Sequence, residues 1–345
     1  MTSLANRRVA LVGGAGFIGH NLALRLKELG ADVTVIDSLA VNNFYSVRKD
    51  VGADGDSELY LRVIQQRLDL LRDHGIPLLV LDSRDYHRLS ETIAELNPDA
   101  LVHLAAVAHA NRSNKDPHST FDHSLRTLEN ALDVARSRNL NIRQFVYFSS
   151  SMVYGNFTAE SVTEDTVCEP LGIYGALKFA GEKMVIAYNQ VFGVPYTIIR
   201  PSALYGERCI SRRVGQIFIE SALKGQEVRI NGDGSDRLDF TYIGDLVNGV
   251  VQVLTRDEAL GEVFNLTYGE SRSIGQMADI LSEKFPEVAI QYLPKDRLMP
   301  KRGTLSVEKA RRLIGYRPEW PLERGFPAYI DWYRSLVGAP AVAAA

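Results

Sequence analysis

The sequence predicts an α/β protein: a doubly wound parallel sheet with a smaller C-terminal α+β lobe. Two observations lead to this prediction. Short β-branched runs alternate with amphipathic helical stretches over the first 200 residues, which is typical of a parallel sheet covered by helices on both faces. A glycine-rich turn joins the first run to the first helical stretch. The 345 residues, 46% of them apolar and 23% charged, suffice for two domains or one large α/β unit.

The alternating elements follow one another along the chain. Helical stretches at about 17–29, 87–96, 119–138 and 174–192 supply the crossovers that a parallel sheet requires. The segment 38–77 is longer than a connection needs; it contains a helical stretch at 59–71 and is expected to cover the cofactor or an interface. The expected strands are 9–12, 33–36, 78–81, 100–104, 145–149 and 196–199.

After residue 201 the alternation loosens, and we expect a smaller lobe that leans over the carboxyl edge of the sheet. A helix around 212–224 and a strand at 228–230 come first, and Ser273 and Gln276 form a capping box that opens the next helix. A further helix near 306–313 stops at Gly315. The expected division is residues 1–201, with about 236–262, for the sheet domain, and residues 202–235 and 263–340 for the lobe.

Composition and charge exclude several classes of protein. The net charge of −3 argues against a general nucleic-acid-binding protein, which would carry a basic excess. No run approaches the roughly 18 consecutive apolar residues of a membrane span. The two cysteines form no CxxC pair, which suits a reducing compartment, and we expect a cytoplasmic protein. The isolated pairs Arg212-Arg213 and Arg311-Arg312 are interpreted as solvated helix faces.

The turn after the first strand, GGAGFIG at 13–19, has the spacing of a dinucleotide-binding loop. Gly13 permits the tight turn, Gly16 lets the backbone approach a pyrophosphate at the helix N-terminus, and Gly19 allows close helix–strand packing. Asp37 ends the second strand, 18 residues beyond Gly19. A carboxylate there accepts hydrogen bonds from a ribose diol and repels a 2′-phosphate. The sequence therefore predicts a Rossmann domain that binds NAD in preference to NADP.

Two later segments add to this predicted cofactor site. Asp82, just past the third strand, is placed to meet the adenine edge. Leu104, Ala105 and Ala106 follow the fourth strand and leave room for the dinucleotide. His103 is interpreted as a packed residue and not as a ligand. The seven histidines show no HExxH spacing, so no metal is expected.

A tyrosine and a lysine four residues apart open the helical stretch after the fifth strand. Tyr174 and Lys178 share one helical face. A free tyrosine has a pKa of about 10, and a neighbouring ammonium together with an oxidised nicotinamide would lower it. Tyr174 is therefore a candidate general base for a substrate hydroxyl, beside a hydride acceptor. Ser150, at the end of the fifth strand, can hold the same oxygen.

The chain resembles the extended short-chain dehydrogenase/reductase family, especially its NAD-dependent, UDP-glucose 4-epimerase-like members. The resemblance runs from 13 to about 320 and rests on GGAGFIG, HLAA, SSSMVYG, YGALK, RPSALYGE, GDGSDRLDFTYIGDL and KRGTLSVEKA. It implies Ser150, Tyr174 and Lys178 as catalytic residues, with Lys178 also holding the nicotinamide ribose and Pro201 packed near the nicotinamide. The full set of predicted cofactor-binding residues is Gly13, Gly16, Phe17, Ile18, Gly19, Asp37, Asp82, Ser83, Leu104, Ala105, Ala106, Tyr174, Lys178 and Pro201.

The two positions before Val153 distinguish the reactions of this family. Its 4,6-dehydratases carry Asp-Glu there, its decarboxylases usually place Glu at the second position, and its 3,5-epimerases place Cys there. This chain has Ser151 and Met152. A thioether cannot transfer protons, so the resemblance implies oxidation and reduction at one carbon, as in a nucleotide-sugar 4-epimerase. The alternative is an NAD(P)H-dependent 4-ketoreductase or a dehydrogenase of nucleotide sugars.

Some substrate-binding positions depart from the family pattern. Ala203 replaces an Asn that touches the substrate diphosphate, and Leu238 replaces an Arg, with Arg237 one residue earlier. In an extended segment that shift reverses the face on which a side chain lies. The resemblance also implies a homodimer through the helices at 119–138 and 174–192. The predicted substrate-binding residues are Ser150, Ser151, Tyr174, Arg237 and Arg302.

Overall fold

The computed structural model describes residues 3–41, 43–49, 57–107, 110–294 and 300–338. The strands are β1 (Arg8–Val12), β2 (Asp32–Asp37), β3 (Leu78–Val80), β4 (Ala100–His103), β5 (Gln144–Phe148), β6 (Ser161–Val162), β7 (Tyr196–Arg200), β8 (Leu204–Tyr205), β9 (Val228–Asn231), β10 (Arg237–Leu238), β11 (Thr241–Tyr242), β12 (Glu262–Asn265), β13 (Arg272–Ser273), β14 (Ile290–Leu293) and β15 (Thr304–Leu305). The α-helices are α1 (Phe17–Glu28), α2 (Phe44–Lys49), α3 (Ser57–Asp73), α4 (Tyr86–Leu96), α5 (Ala110–Lys115), α6 (Pro117–Phe121), α7 (Thr127–Ala135), α8 (Gly172–Phe192), α9 (Val214–Leu223), α10 (Ile243–Thr255), α11 (Ile274–Lys284), α12 (Glu308–Ile314) and α13 (Leu322–Val337).

Seven strands form one parallel sheet in the order β12-β7-β5-β4-β1-β2-β3. The prediction of a doubly wound parallel sheet is confirmed, and the six expected strands agree with the structure to within one residue at each end. The strand order reverses between β1 and β4, and ligands bind beyond the carboxyl ends of the strands at such a point. The seventh strand, β12, is absent from the sequence-based assignment, and the expected boundary at residue 262 coincides with its first residue.

The residues of β1 alternate between two hydrophobic clusters, one on each face of the sheet. Leu11 packs in the cluster that contains Leu22 of α1, whereas Val12 packs in the cluster that contains Leu89 of α4 and Leu132 of α7. The side chains of Leu11, Val12, Leu22, Leu89 and Leu132 are all buried. This burial on both faces explains why the strands read as continuous apolar runs in the sequence.

The long segment 38–77 forms α2 and α3, and its residues 42 and 50–56 lie outside the described ranges. The expected helical stretch at 59–71 lies within α3. The Tyr60 hydroxyl donates to Glu220 Oε2 at 2.8 Å, and the Tyr333 hydroxyl donates to Glu220 Oε1 at 2.8 Å. These bonds connect α3 to α9 and α13 of the C-terminal part.

Among the described residues, four small strand pairs lie outside the main sheet: β9 with β14, β8 with β11 and β6 with β15 are parallel, and β10 with β13 is antiparallel. The predicted capping box is confirmed, since Ser273 Oγ accepts from the Gln276 nitrogen at 3.0 Å and Gln276 Oε1 accepts from the Ser273 nitrogen at 2.8 Å. The predicted stop at Gly315 is confirmed by its left-handed conformation. Within the described ranges, no helix combines the length and the hydropathy needed to cross a membrane.

Candidate active site

The glycine-rich turn lies between the carboxyl end of β1 and the first turn of α1. A methyl group on Gly19 would lie 2.4 Å from the Gly14 carbonyl oxygen, and one on Gly13 would lie 2.5 Å from the Ala105 nitrogen. These two glycines therefore permit close packing of the backbone. On Gly16 the nearest heavy atom would be the Gly13 carbonyl oxygen at 3.5 Å, so this position leaves room for a pyrophosphate group.

A cavity lies at the carboxyl ends of β1, β2 and β4, and we call it the cofactor cavity. Tyr174, Lys178 and Pro201 line an adjoining cavity instead. Asn43 and Arg67, from the segment 38–77, also line the cofactor cavity, which fits the expectation that this segment covers a cofactor. The predicted cofactor residues that line it are Gly13, Gly16, Phe17, Ile18, Gly19, Asp37, Asp82, Ser83, Leu104, Ala105 and Ala106.

Asp37 is buried at the end of β2, and its carboxylate accepts three hydrogen bonds. The donors are the Ala15 nitrogen at 3.0 Å, the Leu39 nitrogen at 2.7 Å and Asn43 Nδ2 at 3.2 Å. Burial raises the pKa of Asp37 to about 6, although these bonds and the positive charge of Arg67 act in the opposite direction. A carboxylate accepts about four hydrogen bonds, so one site remains for a ribose hydroxyl. The residues present therefore fit NAD.

Asp82 lines the cofactor cavity as an ion pair. Arg84 Nη2 lies 2.6 Å from Asp82 Oδ2, and both side chains are partly exposed. Burial raises the pKa of Asp82, but the hydrogen bonds from Arg84 outweigh it and the net shift is downward. Asp82 is thus held as a carboxylate, and its contact with the adenine edge stays a prediction.

The second cavity, which we call the substrate cavity, has a volume of about 350 Å³. It lies at the carboxyl end of β5 and the first turns of α8, and it brings together Ser150, Tyr174 and Lys178. Residues that line both cavities connect them: Ile18, Leu104, Ala106, Leu204 and Arg213.

Tyr174 is half-buried, and its electrostatic surroundings differ from those expected. Burial raises the pKa of its phenol; the positive charge of Arg213, a hydrogen bond with Ser150 and the positive charge of Arg302 lower it. Lys178 was the expected source of the lowering charge, but its Nζ donates to the Phe148 carbonyl oxygen at 2.7 Å. Two arginines that are distant in sequence therefore provide the positive potential at the phenol.

Lys178 is buried, and burial lowers the pKa of its ammonium to about 8. Glu182, one turn further along α8, raises that pKa. Glu182 is itself held by Arg200, whose Nη2 lies 2.7 Å from Glu182 Oε2, and by a hydrogen bond from the Ser149 hydroxyl. This buried pair links α8 to the ends of β5 and β7, next to Ser150.

The remaining predicted substrate residues separate into two groups. Ser151 and Arg302 line the substrate cavity, and Arg302 Nη2 donates to the Ser151 hydroxyl. Arg237 is exposed and absent from the lining, because its guanidinium bonds to the side chain (3.0 Å) and the carbonyl oxygen of Ser271. The alternation of side chains along β10 places its neighbour Leu238 at the cavity instead.

Arg213 corrects the interpretation of the Arg212-Arg213 pair as a solvated helix face. Arg212 is exposed, but Arg213, at the N-cap of α9, lines both cavities. Nothing in the local sequence separates the two arginines. The position of α9 against the sheet decides which one reaches the site.

His103 is a packed residue, as predicted. It is buried, and its ring stacks on Phe145 and Tyr147 with centroid distances of 6.3 Å. Burial lowers the pKa of its imidazole to about 3. Among the described residues, no group of three or more His, Cys, Asp or Glu could hold a metal ion.

The family model described as "NAD dependent epimerase/dehydratase family" matches residues 9–267, a range that includes the glycine turn and Asp37 of the cofactor cavity and Ser150 and Tyr174 of the substrate cavity. This chain belongs to the NAD-dependent epimerase/dehydratase family. The match ends inside the C-terminal part, before Arg302.

Relatives and solved structures agree with this family assignment. A putative UDP-glucose 4-epimerase of Methanocaldococcus jannaschii is 29% identical over 95% of this chain and 98% of that protein. The crystal structure of UDP-glucuronic acid 4-epimerase from Bacillus cereus, in complex with UDP-glucuronic acid and NAD, superposes with a TM-score of 0.83 at 26% identity, over 95% of this chain and 99% of that one. UDP-glucose 4-epimerase from Thermus thermophilus, in complex with NAD, gives a TM-score of 0.80 at 26% identity, over 96% and 100%.

Proposed function

We infer that this protein is an NAD-dependent isomerase that epimerises a nucleotide sugar at C4 through a transient 4-keto sugar. One observation carries the inference: Ser150, Tyr174 and Lys178 meet in a cavity that adjoins the cofactor cavity and shares lining residues with it. The family membership and the similarity to 4-epimerases solved with NAD support it.

Each catalytic residue of the substrate cavity has a separate role in the proposed epimerisation. Bound NAD supplies a hydride acceptor and returns the hydride to the opposite face of the same carbon. Tyr174 removes the proton of the C4 hydroxyl and gives it back when the opposite epimer forms. Ser150 holds the same oxygen, and Lys178 holds the nicotinamide ribose. The cycle consumes no cofactor.

The lining of the substrate cavity argues against elimination of water or decarboxylation. Ser151 and Met152 occupy the positions where the family's dehydratases carry Asp and Glu, and Met152 occupies the position where its decarboxylases usually carry Glu. Among the described residues that line the cavity, none is Asp, Glu or Cys. Protons therefore move through Tyr174, which suits oxidation and reduction at a single carbon.

The reaction is tested with purified protein and no added cofactor. We expect nicotinamide to be released on denaturation, and we expect NMR to show an inverted C4 centre in one of a panel of UDP-, GDP-, dTDP- and CDP-sugars. Stoichiometric consumption of NAD or NADH would instead identify a dehydrogenase or 4-ketoreductase.

Tyr174→Phe should lower turnover by at least about 100-fold, because general acid–base catalysis contributes that much or more, while NAD content stays near that of the wild type. Turnover is followed by NMR and NAD content by release on denaturation. Tyr188→Phe, on the same helix but outside the cavity lining, is the matched control. A fully active Tyr174→Phe enzyme would contradict the assigned base.

We also propose a division into two domains. Residues 1–201 with about 236–262 bind NAD, and residues 202–235 and 263–340 bind the substrate. Since β12 (Glu262–Asn265) pairs with β7, we move the boundary at 262 to the end of that strand. Residues 1–2, 42, 50–56, 108–109, 295–299 and 339–340 of this division lie outside the described ranges.

We further propose a homodimer and a cytoplasmic location. On α8, the exposed residues Ala176, Lys183, Ala187 and Val191 recur at helical spacing, so a largely apolar face is available for a second copy. Phe121, at the end of α6, is also exposed. Both cysteines are free thiols, which suits a reducing compartment.

A further inference from the structure

One loop forms part of the wall of both cavities. It joins β8 to α9, runs from residue 206 to residue 213 without regular secondary structure, and we call it the shared-wall loop. Ile210, Ser211 and Arg213 line the cofactor cavity, and Arg213 also lines the substrate cavity. A dinucleotide in the cofactor cavity would lie against this loop, so the contacts that hold the loop affect how easily NAD enters and leaves.

The backbone of the shared-wall loop is strained. Arg208 and Arg212 have φ angles of 63° and 49°, in the left-handed region, where a side chain with a Cβ atom is sterically disfavoured. Such conformations persist only where surrounding contacts hold them, and they are common at ligand clamps and switch regions. The contacts of Arg208 therefore indicate what fixes the loop.

Arg208 is held by two helices at once. Its carbonyl oxygen accepts hydrogen bonds from Arg67 of α3, from Nε at 3.0 Å and also from Nη2. Its guanidinium extends to α1, where Nε donates to His20 Nε2 at 3.0 Å and Nη2 donates to Asn21 Oδ1 at 3.3 Å. The loop is thereby fastened both to the helix that follows the glycine turn and to the segment 38–77.

His20 can accept the bond from Arg208 in only one protonation state. Its ring is fully buried, and Nδ1 lies 2.8 Å from the Gly16 carbonyl oxygen, which only accepts, so Nδ1 carries the proton. Nε2 is then free to accept from the Arg208 guanidinium, which only donates. Burial and the positive charges of Arg67 and Arg208 lower the pKa of His20, so its ring stays neutral. Two hydrogen bonds through His20 thus connect the loop to the glycine turn.

We propose that His20 and Arg208 are positioning residues that latch the shared-wall loop over bound NAD, so that the cofactor stays in place from one turnover to the next. The reuse of one NAD rests on the proposed function. Neither residue is among the described residues that line the two cavities, so their bond acts through the loop. A bond that holds the loop without touching the cofactor should slow the entry and the release of NAD alike.

The test measures the rates at which NAD leaves and enters the protein, and not turnover. Release is followed by exchange of bound NAD for excess labelled NAD, and entry is followed by mixing NAD with apoprotein. His20→Leu and Arg208→Met each remove the bond and keep an apolar side chain of similar length. In each variant both rates should rise about 10- to 100-fold, the effect of one hydrogen bond to a charged group. The dissociation constant of NAD should change less than about 3-fold.

A double-mutant cycle assigns the effect to the bond itself. The variant with both substitutions should behave like either single variant, because the bond can be lost only once. His20→Gln, whose side-chain oxygen can accept from Arg208, should recover part of the slow release, and it supplies a second variant if His20→Leu does not fold. Arg25→Gln, an exposed arginine of the same helix, should leave both rates unchanged.

Three results would overturn the proposal. Faster release with an unchanged rate of entry would place the two residues in direct contact with NAD, and unchanged release would show that the bond does not hold the loop. Effects that multiply in the double variant would assign them to two independent sites. These measurements need no sugar, so the latch can be confirmed even if no nucleotide sugar is epimerised, whereas rapid exchange of NAD in an active wild-type epimerase would refute the latch alone.

Discussion

At the scale of single residues, the sequence identifies the residues that carry the chemistry, but it does not identify the neighbours that alter their electrostatic surroundings. The role of Asp37 in binding the ribose can be predicted from its position at the end of the second strand. Its partners Asn43 and Arg67 belong to the long segment 38–77, and only the folded chain brings them to the carboxylate. The same holds for Tyr174, whose phenol is under the influence of Arg213 and Arg302.

The raised pKa of Asp37 gives the cofactor site a pH dependence. The protonated carboxyl accepts ribose hydrogen bonds poorly, so NAD affinity should fall about tenfold between pH 7.5 and pH 5, across the pKa of about 6. In the cofactor-free protein the sign is opposite: the folded state binds the proton more tightly, so ionising Asp37 lowers the free energy of unfolding as pH rises from about 4 to about 6.

Titration of apoprotein with NAD at several pH values measures this dependence. Asp37→Asn should bind NAD more weakly and with a flat pH profile, whereas Asp82→Asn should keep the wild-type profile because the pKa of Asp82 is lowered. Asp239 also has a pKa of about 6, but it is unchanged in both variants. The same tenfold fall in Asp37→Asn would assign the dependence to another group.

At the scale of elements, α8 positions the candidate catalytic residues, whereas α3 connects two parts of the chain. The helix α8 carries Tyr174 and Lys178 on one face, and its Glu182 is paired with Arg200 of β7. The helix α3 joins the two parts of the chain, since Tyr60 bonds to Glu220 of α9. The helix α9, which accepts this bond, has Arg213 as its N-cap residue.

Tyr60→Phe should lower the free energy of unfolding by about 1–3 kcal/mol, because the buried Glu220 Oε2 loses the hydrogen bond that the Tyr60 hydroxyl donates. Urea unfolding measures the change. Tyr45→Phe, at an exposed position of α2, should change stability by less than about 0.5 kcal/mol. An equal effect in both variants would argue against the connecting role of α3.

At the scale of the whole molecule, the parallel sheet determines where the site lies, and the exposed face of α8 is the surface through which the proposed dimer would form. Both cavities lie at the carboxyl ends of the strands, where the strand order reverses. The exposed apolar side chains of α8 lie away from the cavity lining. Association through them would leave the site open.

Val191→Glu should raise the dissociation constant of the proposed dimer by at least about 100-fold, because it buries a charge in an apolar interface. Val191 is 70% exposed in the single chain. Sedimentation over a range of concentrations gives the constant, and Leu260→Glu, at an exposed apolar position outside α8, is the control. A dimer that tolerates Val191→Glu would place the interface elsewhere.

The sequence by itself determined the sheet, the glycine turn, Asp37 and the Ser150–Tyr174–Lys178 set. These features depend on local patterns: hydrophobic period, glycine spacing, and residues that end a strand or share a helical face. The strand β12 was not predicted because it is a four-residue edge strand without a strong hydrophobic pattern.

Tertiary structure alone decided which arginines reach the substrate cavity. The sequence favoured Arg237 and dismissed Arg213; the fold ties Arg237 to Ser271 and turns Arg213 toward Tyr174. A side chain's neighbours across lobes depend on how helices and loops pack over the sheet, and no short-range pattern records that packing. The proposed catalytic residues can therefore be predicted from the sequence, whereas the positive charge at the substrate cavity depends on how the two parts of the fold pack together.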